Sequence, residues 1–487
     1  MSIREEVEAA ITPSREEAID LAANYSVVPV VNSVVEDCET PVSAYLKLRG
    51  DGPSFLLESA ERGQSVGRWS FIGCRPRDVV RWSLGDPGDP FDIAEQAAGT
   101  GDVAPVEGMP PFSGGAVGMF GYDLVRTVEP LGDPNPDTVG LPDLALMLTD
   151  VMLAFDHLRN RLAVFALIHS DAGDAGEQWD RAVDTIVEIR ELLAAPLVHE
   201  ERELKPAPDF VSNTGDERFK QMVSEIIEYV RAGDAFQVVP SQRWSADTDL
   251  PAFAVYRGLR AVNPSPYMYF LDFGDFEIAG ASPEPLLTVH DRTVKTKPIA
   301  GTRPRGDNAE HDRQLAKELL SDDKELAEHT MLVDLGRNDL GRVCEYGSVH
   351  VDELMAIENY SHVMHIVSSV TGTLREGVTP VDALRSVLPA GTLSGAPKVR
   401  AMQIIDEIEA VKRGGYGGAI GYLSYSGDLD VCIHIRTVVI KDGKAHIQAG
   451  GGTVADALPE NELAESENKA RGVMRAVELA ATRRDWT

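Results

Sequence analysis

The sequence predicts an α+β fold in which large antiparallel sheets are flanked by helices. Short apolar runs repeatedly come in pairs that enclose a polar turn, which is the pattern of β-hairpins and not of β-α-β units. Between these pairs lie longer segments with apolar residues at helical spacing. The length of 487 residues exceeds one ordinary core, so we expect two tightly joined lobes.

Residues 25–170 are predicted to be rich in strands. Residues 151–155 and 162–168 flank a polar turn and therefore predict a hairpin. The earlier apolar runs of strand length are residues 28–35, 55–58 and 68–72. A helix should follow the hairpin, with apolar residues near helical spacing at Trp179, Val183, Ile186 and Leu193.

A stretch rich in proline and charge, residues 195–215, has no clean periodicity and is the predicted domain boundary. We therefore expect an N-terminal region at residues 1–205 and a second domain at residues 206–487. An amphipathic helix should follow the boundary and stop at Gly233, before a strand through residues 236–239. Its apolar face is formed by Phe219, Met222, Val223, Ile226, Ile227 and Val230.

Two further hairpins are predicted in the second half, and one of them carries a candidate arginine. Arg436 should share a strand face with Cys432 and His434 and point away from the apolar side. The hairpins pair residues 286–289 with 293–297, and residues 431–440 with 445–448.

Helical spacing returns at three places in the second half. The first predicted helix carries Leu315, Leu319, Leu326 and Met331. Pro397 suits the first turn of the second helix, with Ser394 as a candidate cap. The last helix should span roughly residues 461–480.

The net charge of −32 excludes several classes of partner. Such a surface repels nucleic acid and anionic lipid, and it is typical of a highly soluble protein. No run approaches the roughly 18 apolar residues that a membrane span needs. An acidic N-terminus argues against a signal peptide, so the cytoplasm is the expected location. The four cysteines form no C-x-x-C pair, which argues against a zinc site.

Cations and glycines in the second half form candidate anion sites. Residues 295–305 run from a strand into a turn of glycine, a hydroxyl and cations. Arg436 could clamp a carboxylate with two hydrogen bonds, or it could be an ordinary surface residue. The turn of Gly450, Gly451 and Gly452 could offer backbone N–H groups to a carboxylate, or it could be a flexible loop.

Carboxylates on two predicted helices are candidate ligands for magnesium, which binds carboxylate oxygens. On spacing alone, Glu328 fits a solvated helix face, and Glu465 fits an ion pair with Lys469 one turn later. Glu284 alone would be a turn residue between prolines, and His365 a core histidine. Residues 391–398 lack the glycine-lysine pair of a phosphate-binding loop, so nucleotide binding is not predicted.

A series of motifs in the second half resembles the chorismate-binding domain of the chorismate-using enzymes. This family includes anthranilate synthase, aminodeoxychorismate synthase, and the isochorismate and salicylate synthases. The motifs are residues 236–240, 263–268, 280–284, 298–302, 328–339, 361–365, 391–398 and 414–422, and the final helix with Glu465 and Lys469. The first half is similar to the N-terminal region of anthranilate synthase large subunits at residues 56–59 and 121–126. The resemblance implies the α+β fold of that family.

The resemblance also implies roles for individual residues. Glu284 corresponds to the general acid that protonates the leaving hydroxyl, and His365 to a residue linked to removal of the ring proton. Thr392 lines the active site, and Glu328 and Glu465 correspond to ligands of Mg²⁺. The implied substrate contacts are Gly301, Thr302, Tyr416, Arg436, Gly450, Gly451, Gly452 and Lys469.

Two positions distinguish between members of the family. Ala300 stands where aminodeoxychorismate synthases carry a nucleophilic lysine, and a methyl group cannot attack a substrate. Gln237 stands where isochorismate and salicylate synthases carry a lysine that activates water. Ammonia needs no such base, so the pair favours ammonia as the nucleophile and anthranilate as the product. An aminodeoxyisochorismate synthase and an isochorismate synthase are the alternatives.

The resemblance further implies partners and regulation. We expect a separate glutamine amidotransferase subunit to supply ammonia, in a heterotetramer of two large and two small subunits. Two segments correspond to a site for feedback inhibition by tryptophan, with ordinary strand and turn packing as the alternative. The residues of that site are Glu58, Ser59, Pro266, Tyr267 and Met268. A catalytically inactive tryptophan sensor is the alternative from another class of protein.

Overall fold

The computed structural model describes residues 2–59, 67–99, 101–107, 109–198, 201–359 and 363–486. Residues 361 and 362, which belong to one of the motifs above, lie outside the described residues. Within these ranges, no helix is both long and apolar enough to cross a membrane.

The described residues form thirteen α-helices, twenty-four strands and a 3-10 helix at Tyr122–Thr127, and many of the strands follow one another directly. The α-helices are α1 (Ile3–Ala10), α2 (Arg15–Ala22), α3 (Pro41–Leu48), α4 (Pro90–Ala98), α5 (Ala175–Ala194), α6 (Asp216–Ala232), α7 (Ala252–Val262), α8 (Ala309–Leu319), α9 (Asp323–Gly341), α10 (Pro380–Val387), α11 (Gly391–Ser394), α12 (Lys398–Ile408) and α13 (Pro459–Ala481). The strands of the first half are β1 (Ile11–Thr12), β2 (Val27–Val35), β3 (Ser54–Glu58), β4 (Trp69–Cys74), β5 (Asp78–Trp82), β6 (Gly115–Phe120), β7 (Leu144–Thr149), β8 (Val151–Asp156) and β9 (Arg161–His169). Those of the second half are β10 (Val211–Ser212), β11 (Gln237–Val238), β12 (Ser241–Asp247), β13 (Tyr267–Asp272), β14 (Phe276–Ser282), β15 (Pro285–His290), β16 (Thr293–Thr296), β17 (Ile299–Pro304), β18 (His350–Asn359), β19 (Val363–Thr373), β20 (Gly395–Ala396), β21 (Ala419–Ser424), β22 (Leu429–Ile433), β23 (Thr437–Lys441) and β24 (Lys444–Gly450).

Two large antiparallel sheets organise the described part of the chain. The first, sheet A, has twelve strands in the order β1-β2-β9-β8-β4-β3-β13-β14-β23-β24-β12-β10. The second, sheet B, has ten strands in the order β17-β19-β16-β15-β22-β21-β6-β7-β5, with β18 paired to β19. Strands from both sides of residue 205 share each sheet, since β3 pairs with β13 and β6 pairs with β21. The domain division at residue 205 stays a prediction.

The sheets pack face to face, and helices cover their outer faces. Phe55 and Phe165 of sheet A pack with Met119 and Ile420 of sheet B in one buried cluster. The opposite face of sheet A packs on α5, α7 and α13, whereas that of sheet B packs on α4, α9 and α10. The alternation of side chains along each strand therefore buries both faces. The predicted class of antiparallel sheets flanked by helices is confirmed.

Several local predictions are confirmed, because their signals are local. The three predicted hairpins form, with Asp156 opposite Arg161, His290 opposite Thr293, and Lys441 opposite Lys444. The helix predicted from Phe219 onward is α6, which ends at the left-handed Gly233. The final helix is α13, close to its predicted bounds.

Other local predictions are wrong. The strand expected through residues 431–440 is broken, because residues 434–436 lie outside any strand and Arg436 has a φ of +53°. Arg436 therefore does not share a strand face with Cys432. The strand expected through residues 236–239 is only the two-residue β11. Ser394 does not cap α12, whose N-cap is Pro397 without a side-chain hydrogen bond, and its hydroxyl instead donates to the carbonyl of Ala390.

Candidate active site

Two loops pass from one sheet to the other side by side, and they create the site. Ser282 ends β14 in sheet A and Pro285 begins β15 in sheet B, while Ile433 ends β22 in sheet B and Thr437 begins β23 in sheet A. The two loops are tied together by backbone hydrogen bonds. The N–H of Ile433 donates to the carbonyl of Glu284 over 3.0 Å.

A cavity of about 230 Å³ lies where these loops cross. It receives side chains from both loops, both sheets and helices α9 and α13. The predicted site residues that line it are Glu284, Thr302, Glu328, His365, Thr392, Tyr416, Arg436, Gly450, Gly452, Glu465 and Lys469. Gly301 and Gly451 belong to the same turns but do not line the cavity. Ala300 and Gln237 line it as well.

Glu284 is the buried carboxyl group of the first loop. Its burial raises its pKa to about 7, although a hydrogen bond from the Thr392 hydroxyl and the charges of Lys469 and Arg436 oppose that rise. The Thr392 Oγ1 lies 3.0 Å from Oε1 of Glu284. A carboxyl group with this pKa is partly protonated near neutral pH, as a general acid must be.

Arg436 is the cation of the second loop. The backbone turns there in the left-handed region, so the chain leaves sheet B and enters sheet A at this residue. Burial lowers the pKa of Arg436, while the nearby Tyr416, Glu465 and Glu284 raise it. A buried guanidinium group beside a cavity is suited to hold a carboxylate.

Carboxylates from α9 and α13 meet at one side of the cavity. Burial raises the pKa of Glu328, and Glu325 and Glu465 add to that rise, while a hydrogen bond of 2.9 Å from the Gln237 amide opposes it. Glu465 forms an ion pair of 2.7 Å with Lys469. The helical salt bridge that the spacing suggested is therefore present. Lys469 also donates to the carbonyl of Gly450 over 2.9 Å.

A third carboxylate, Glu462, was missed by sequence reasoning. It lies one helical turn before Glu465, and this i, i+3 spacing was the available signal. Burial, followed by the charge of Glu465, raises the pKa of Glu462 to about 7, and its Oε2 is buried without a hydrogen-bond partner. Buried carboxylates that resist ionisation together fit a divalent cation that takes oxygen ligands.

The protein's own atoms do not bring these carboxylates into tight contact. Among the described residues, the one group of three acidic or thiol ligand atoms within 4.8 Å of one another is Glu36, Asp37 and Cys38, in a partly exposed turn. A cation at Glu328, Glu462 and Glu465 would thus share its coordination with water or ligand oxygens, as magnesium commonly does.

His365 and the turn at Gly301 face each other across β17 and β19. The Nδ1 of His365 lies 3.2 Å from the carbonyl of Gly301 and 3.0 Å from the hydroxyl of Thr302. A contact with a carbonyl requires this nitrogen to carry its proton. Burial lowers the pKa of His365, so the ring is neutral at physiological pH and its Nε2 is an acceptor.

The glycine turn after β24 is closely packed and is not a loose loop. A Cβ at Gly450 would lie 2.0 Å from the carbonyl oxygen of Pro240, and one at Gly452 would lie 2.4 Å from the Gln237 amide. A Cβ at Gly451 would lie 3.0 Å from Glu462. Glycine is required here by close approach, which leaves the backbone free to face a ligand.

A second cavity, of about 420 Å³, contains the other predicted cluster. Glu58, Ser59, Pro266, Tyr267 and Met268 all line it, and Met268 pairs with Glu58 across β13 and β3. The Ser59 hydroxyl is buried without a hydrogen-bond partner. The second cavity is separated from the first by the loop between β14 and β15, because Pro283 lines both.

Comparison with known proteins agrees with this geometry. The family model described as "chorismate binding enzyme" matches residues 52–475. The structure of the menaquinone-specific isochorismate synthase from Escherichia coli superposes on 97% of this chain and over 100% of its own length. The TM-score is 0.68 and the sequence identity is 18%, which shows a shared fold. The chain belongs to the chorismate-binding enzyme family.

Relatives narrow this assignment. Anthranilate synthase component 1 of Pseudomonas putida is 48% identical over 96% of this chain and 99% of its own length. That of Mycobacterium tuberculosis strain H37Rv is 46% identical over 97% of each chain. The crystal structure of anthranilate synthase component I from Streptococcus pneumoniae superposes with a TM-score of 0.77 at 38% identity, covering 91% of this chain and 98% of that one. The chain is thus a chorismate-utilising enzyme of the anthranilate synthase component 1 type.

Proposed function

We propose that the protein converts chorismate and ammonia into anthranilate, pyruvate and water. Ammonia forms a bond to ring carbon C2 as the C4 hydroxyl departs as water, and elimination of pyruvate with loss of the C2 proton then completes the aromatic ring. Atoms and charge balance without an oxidant or reductant. The reaction needs a general acid, a hold on two carboxylates and an amine that the chain itself does not supply.

The absence of a free amine from the cavity carries this proposal. Ala300 and Gln237 line the cavity where relatives that use other nucleophiles carry lysine. Among the described lining residues Lys469 is the one amine, and it is held by Glu465 and the carbonyl of Gly450. The chain therefore offers space for ammonia but no lysine free to attack or to activate water.

The remaining side chains divide the chemistry. Glu284 gives its proton to the departing hydroxyl, and Thr392 orients that carboxyl group. Arg436 and Lys469 supply positive charge for the substrate carboxylates, with Tyr416 beside them. The neutral Nε2 of His365 accepts the ring proton, because its Nδ1–H is fixed by Gly301. These roles are part of the proposal.

Glu328 and Glu465, with Glu462 beside them, would hold Mg²⁺. The ion would supply positive charge to a substrate carboxylate. Without the ion, the protein's own carboxylates would repel that substrate group. Gln237 keeps one oxygen of Glu328 engaged and so fixes the orientation of that carboxylate.

A partner and a regulator complete the proposal. Component 1 relatives imply a component 2, which we propose to be a glutamine amidotransferase that delivers ammonia within a heterotetramer of two large and two small subunits. The second cavity would bind tryptophan as a feedback inhibitor, with Glu58 facing its amino group. Pro283, Glu284 and Pro285 form the wall between the two cavities, so a ligand in one can displace the acid in the other.

The test is an assay of the purified chain with chorismate, Mg²⁺ and an ammonium salt, read by anthranilate fluorescence. The expected product is anthranilate, without glutamine or a partner. Isochorismate as the product would identify a water-using enzyme, and a released non-aromatic amine would identify an aminodeoxyisochorismate synthase. No turnover together with tryptophan binding would identify a sensor. Each of these results would overturn the proposal.

A further inference from the structure

A third cavity lies directly behind the wall of the active site and has no part in the proposed reaction. We call it the rear cavity. It is lined by one carboxylate, Asp137, and by Arg243, Lys412, Gly415, His434 and His446, and it shares Tyr416, Ile435 and Gln448 with the catalytic cavity. Its volume is about 40 Å³, which accommodates a few atoms but no aromatic ring.

Arg243 is a buried cation that lacks a direct counter-ion. It lies in the middle of β12, opposite Gln448 of β24, and only 6% of its surface is exposed. Within the described ranges, no carboxylate lies within 4.0 Å of its guanidinium group, whose neutral partners are the Lys412 carbonyl and the Thr138 hydroxyl. Burial lowers the pKa of Arg243, and the charges of Asp137 and Glu409 oppose this from a distance.

The neighbouring cations show how unusual this is. Lys412 forms an ion pair of 2.8 Å with Asp143 and a longer one of 3.6 Å with Asp137, so the cavity-lining Asp137 is engaged by Lys412. Arg413 donates from Nε to Glu409 over 2.9 Å and uses its other nitrogens on Glu409 and two carbonyls. A desolvated guanidinium group without such a partner is costly unless a ligand supplies the negative charge.

His434 offers a second unpaired group to the same cavity. It is 2% exposed, and its Nδ1 is buried without a hydrogen-bond partner. Burial lowers the pKa of His434 to about 3, so the ring is neutral and carries one N–H. A Cβ at Gly415 would lie 2.7 Å from this Nδ1, so the missing side chain of Gly415 leaves the nitrogen open.

We propose that the rear cavity binds one small monovalent anion, either a halide or a carboxylate as small as formate, between Arg243 and His434. The anion would neutralise Arg243 and accept a hydrogen bond from the imidazole. It would also fill the space behind Tyr416 and Gln448, two residues of the catalytic wall. The cavity is too small for an ion that keeps its hydration shell, and it is too small for the substrate.

The direct test uses the wild-type chain in crystals soaked with sodium bromide. We expect an anomalous scattering peak in the rear cavity, in contact with the Arg243 guanidinium group and His434. A soak in formate followed by bromide should lower the peak if both anions share the site. A cavity that contains only water after the bromide soak and also after a soak in formate alone would overturn the proposal, whatever the variants below do.

The solution test compares thermal unfolding in bromide, formate and gluconate at equal ionic strength. Bromide or formate should raise the Tm of wild type by at least about 2 °C over gluconate, because an anion that binds only the folded state stabilises it. Arg243→Met should lose this difference. Arg337→Met, at an exposed arginine of α9 that pairs with Asp334, is the matched control and should retain it.

The outcomes separate the possibilities. A higher Tm in both bromide and formate would support a general small-anion site. A higher Tm in formate alone would support a site for small carboxylates. An equal response to gluconate, or an unchanged bromide response in Arg243→Met, would show that general salt effects are responsible. None of these measurements depends on turnover, so the proposed reaction and the anion site can fail independently.

Discussion

The hydroxyl of Thr392 donates a hydrogen bond of 3.0 Å to the carboxyl group of Glu284, inside a cavity that also contains Arg436 and Lys469. Three groups therefore favour the ionised form of Glu284, yet burial outweighs them and raises its pKa to about 7. The position of this balance decides over which pH range Glu284 can act as an acid.

The first prediction concerns the pH dependence of turnover. Because the proposed role of Glu284 requires its protonated form, kcat/KM should fall as the pH rises through about 7. Thr392→Val removes a donor that stabilises the carboxylate, so the pKa of Glu284 rises and the alkaline limb should move to higher pH by roughly 0.5 unit. The measurement is kcat/KM for chorismate between pH 5.5 and 9 with saturating ammonia.

Two variants control this experiment. Thr330→Val, on the exposed side of α9, should leave the limb where it is, since its hydroxyl donates to the Leu326 carbonyl of its own helix. Glu284→Gln should lower turnover by about 10²-fold or more at all pH values. A limb that stays in place in Thr392→Val, or moves to lower pH, would show that another group controls it.

The second prediction concerns metal affinity. Gln237→Met removes the hydrogen bond that lowers the pKa of Glu328, so protons compete better for that carboxylate. Mg²⁺ affinity of the chain without substrate should fall about 10-fold, and more at pH 6 than at pH 8, in a calorimetric titration. Gln314→Met, at an exposed Gln–Glu pair, should bind Mg²⁺ as wild type does. Equal affinity in both variants would refute this role for Gln237.

The third prediction concerns stability far from the chemistry. Burial and the like charge of Asp272, its cross-strand neighbour, raise the pKa of Glu277 to about 7. The folded state thus binds a proton that the unfolded state has released, so wild type loses stability as the pH rises from 4.5 through 7. Glu277→Gln should avoid this loss and be more stable by about 2 kcal/mol at pH 8, but not at pH 4.

Denaturant unfolding at the two pH values measures this difference. The exposed Glu191→Gln variant is the control and should follow wild type at both. A Glu277→Gln variant that gains equally at pH 4 and pH 8 would contradict a titration effect.

The fourth prediction concerns inhibition. Ser59 lines the second cavity, and its buried hydroxyl has no partner there. Ser59→Phe fills part of that space, so the tryptophan concentration for half-inhibition should rise at least about 10-fold while kcat stays near wild type. Ser321→Phe, at an exposed serine, is the control and should be inhibited by tryptophan as wild type is. If Ser59→Phe is inhibited as strongly as wild type, the second cavity is not the tryptophan site.

Local patterns were sufficient for the hairpins and for the helices α6 and α13. A turn flanked by apolar runs, or apolar residues every three to four positions, acts over a few residues and can be detected within one segment. Arg436 shows where this fails. Its alternation with Cys432 and His434 favoured a continuous strand, but the chain changes sheets at residues 434–436. That break depends on β14 and β15, which are distant in sequence.

By itself, the sequence determined the chemical inventory of this protein: two carboxylates on separate helices, cations and glycines in turns, and the side chains Ala300 and Gln237. Only the tertiary structure decided that the loops carrying Glu284 and Arg436 cross between the sheets together, and that Glu462 and Arg243 are buried. The physical reason is that burial and mutual charge depend on every segment packed around a group. Spacing along the chain reports only on its neighbours in sequence.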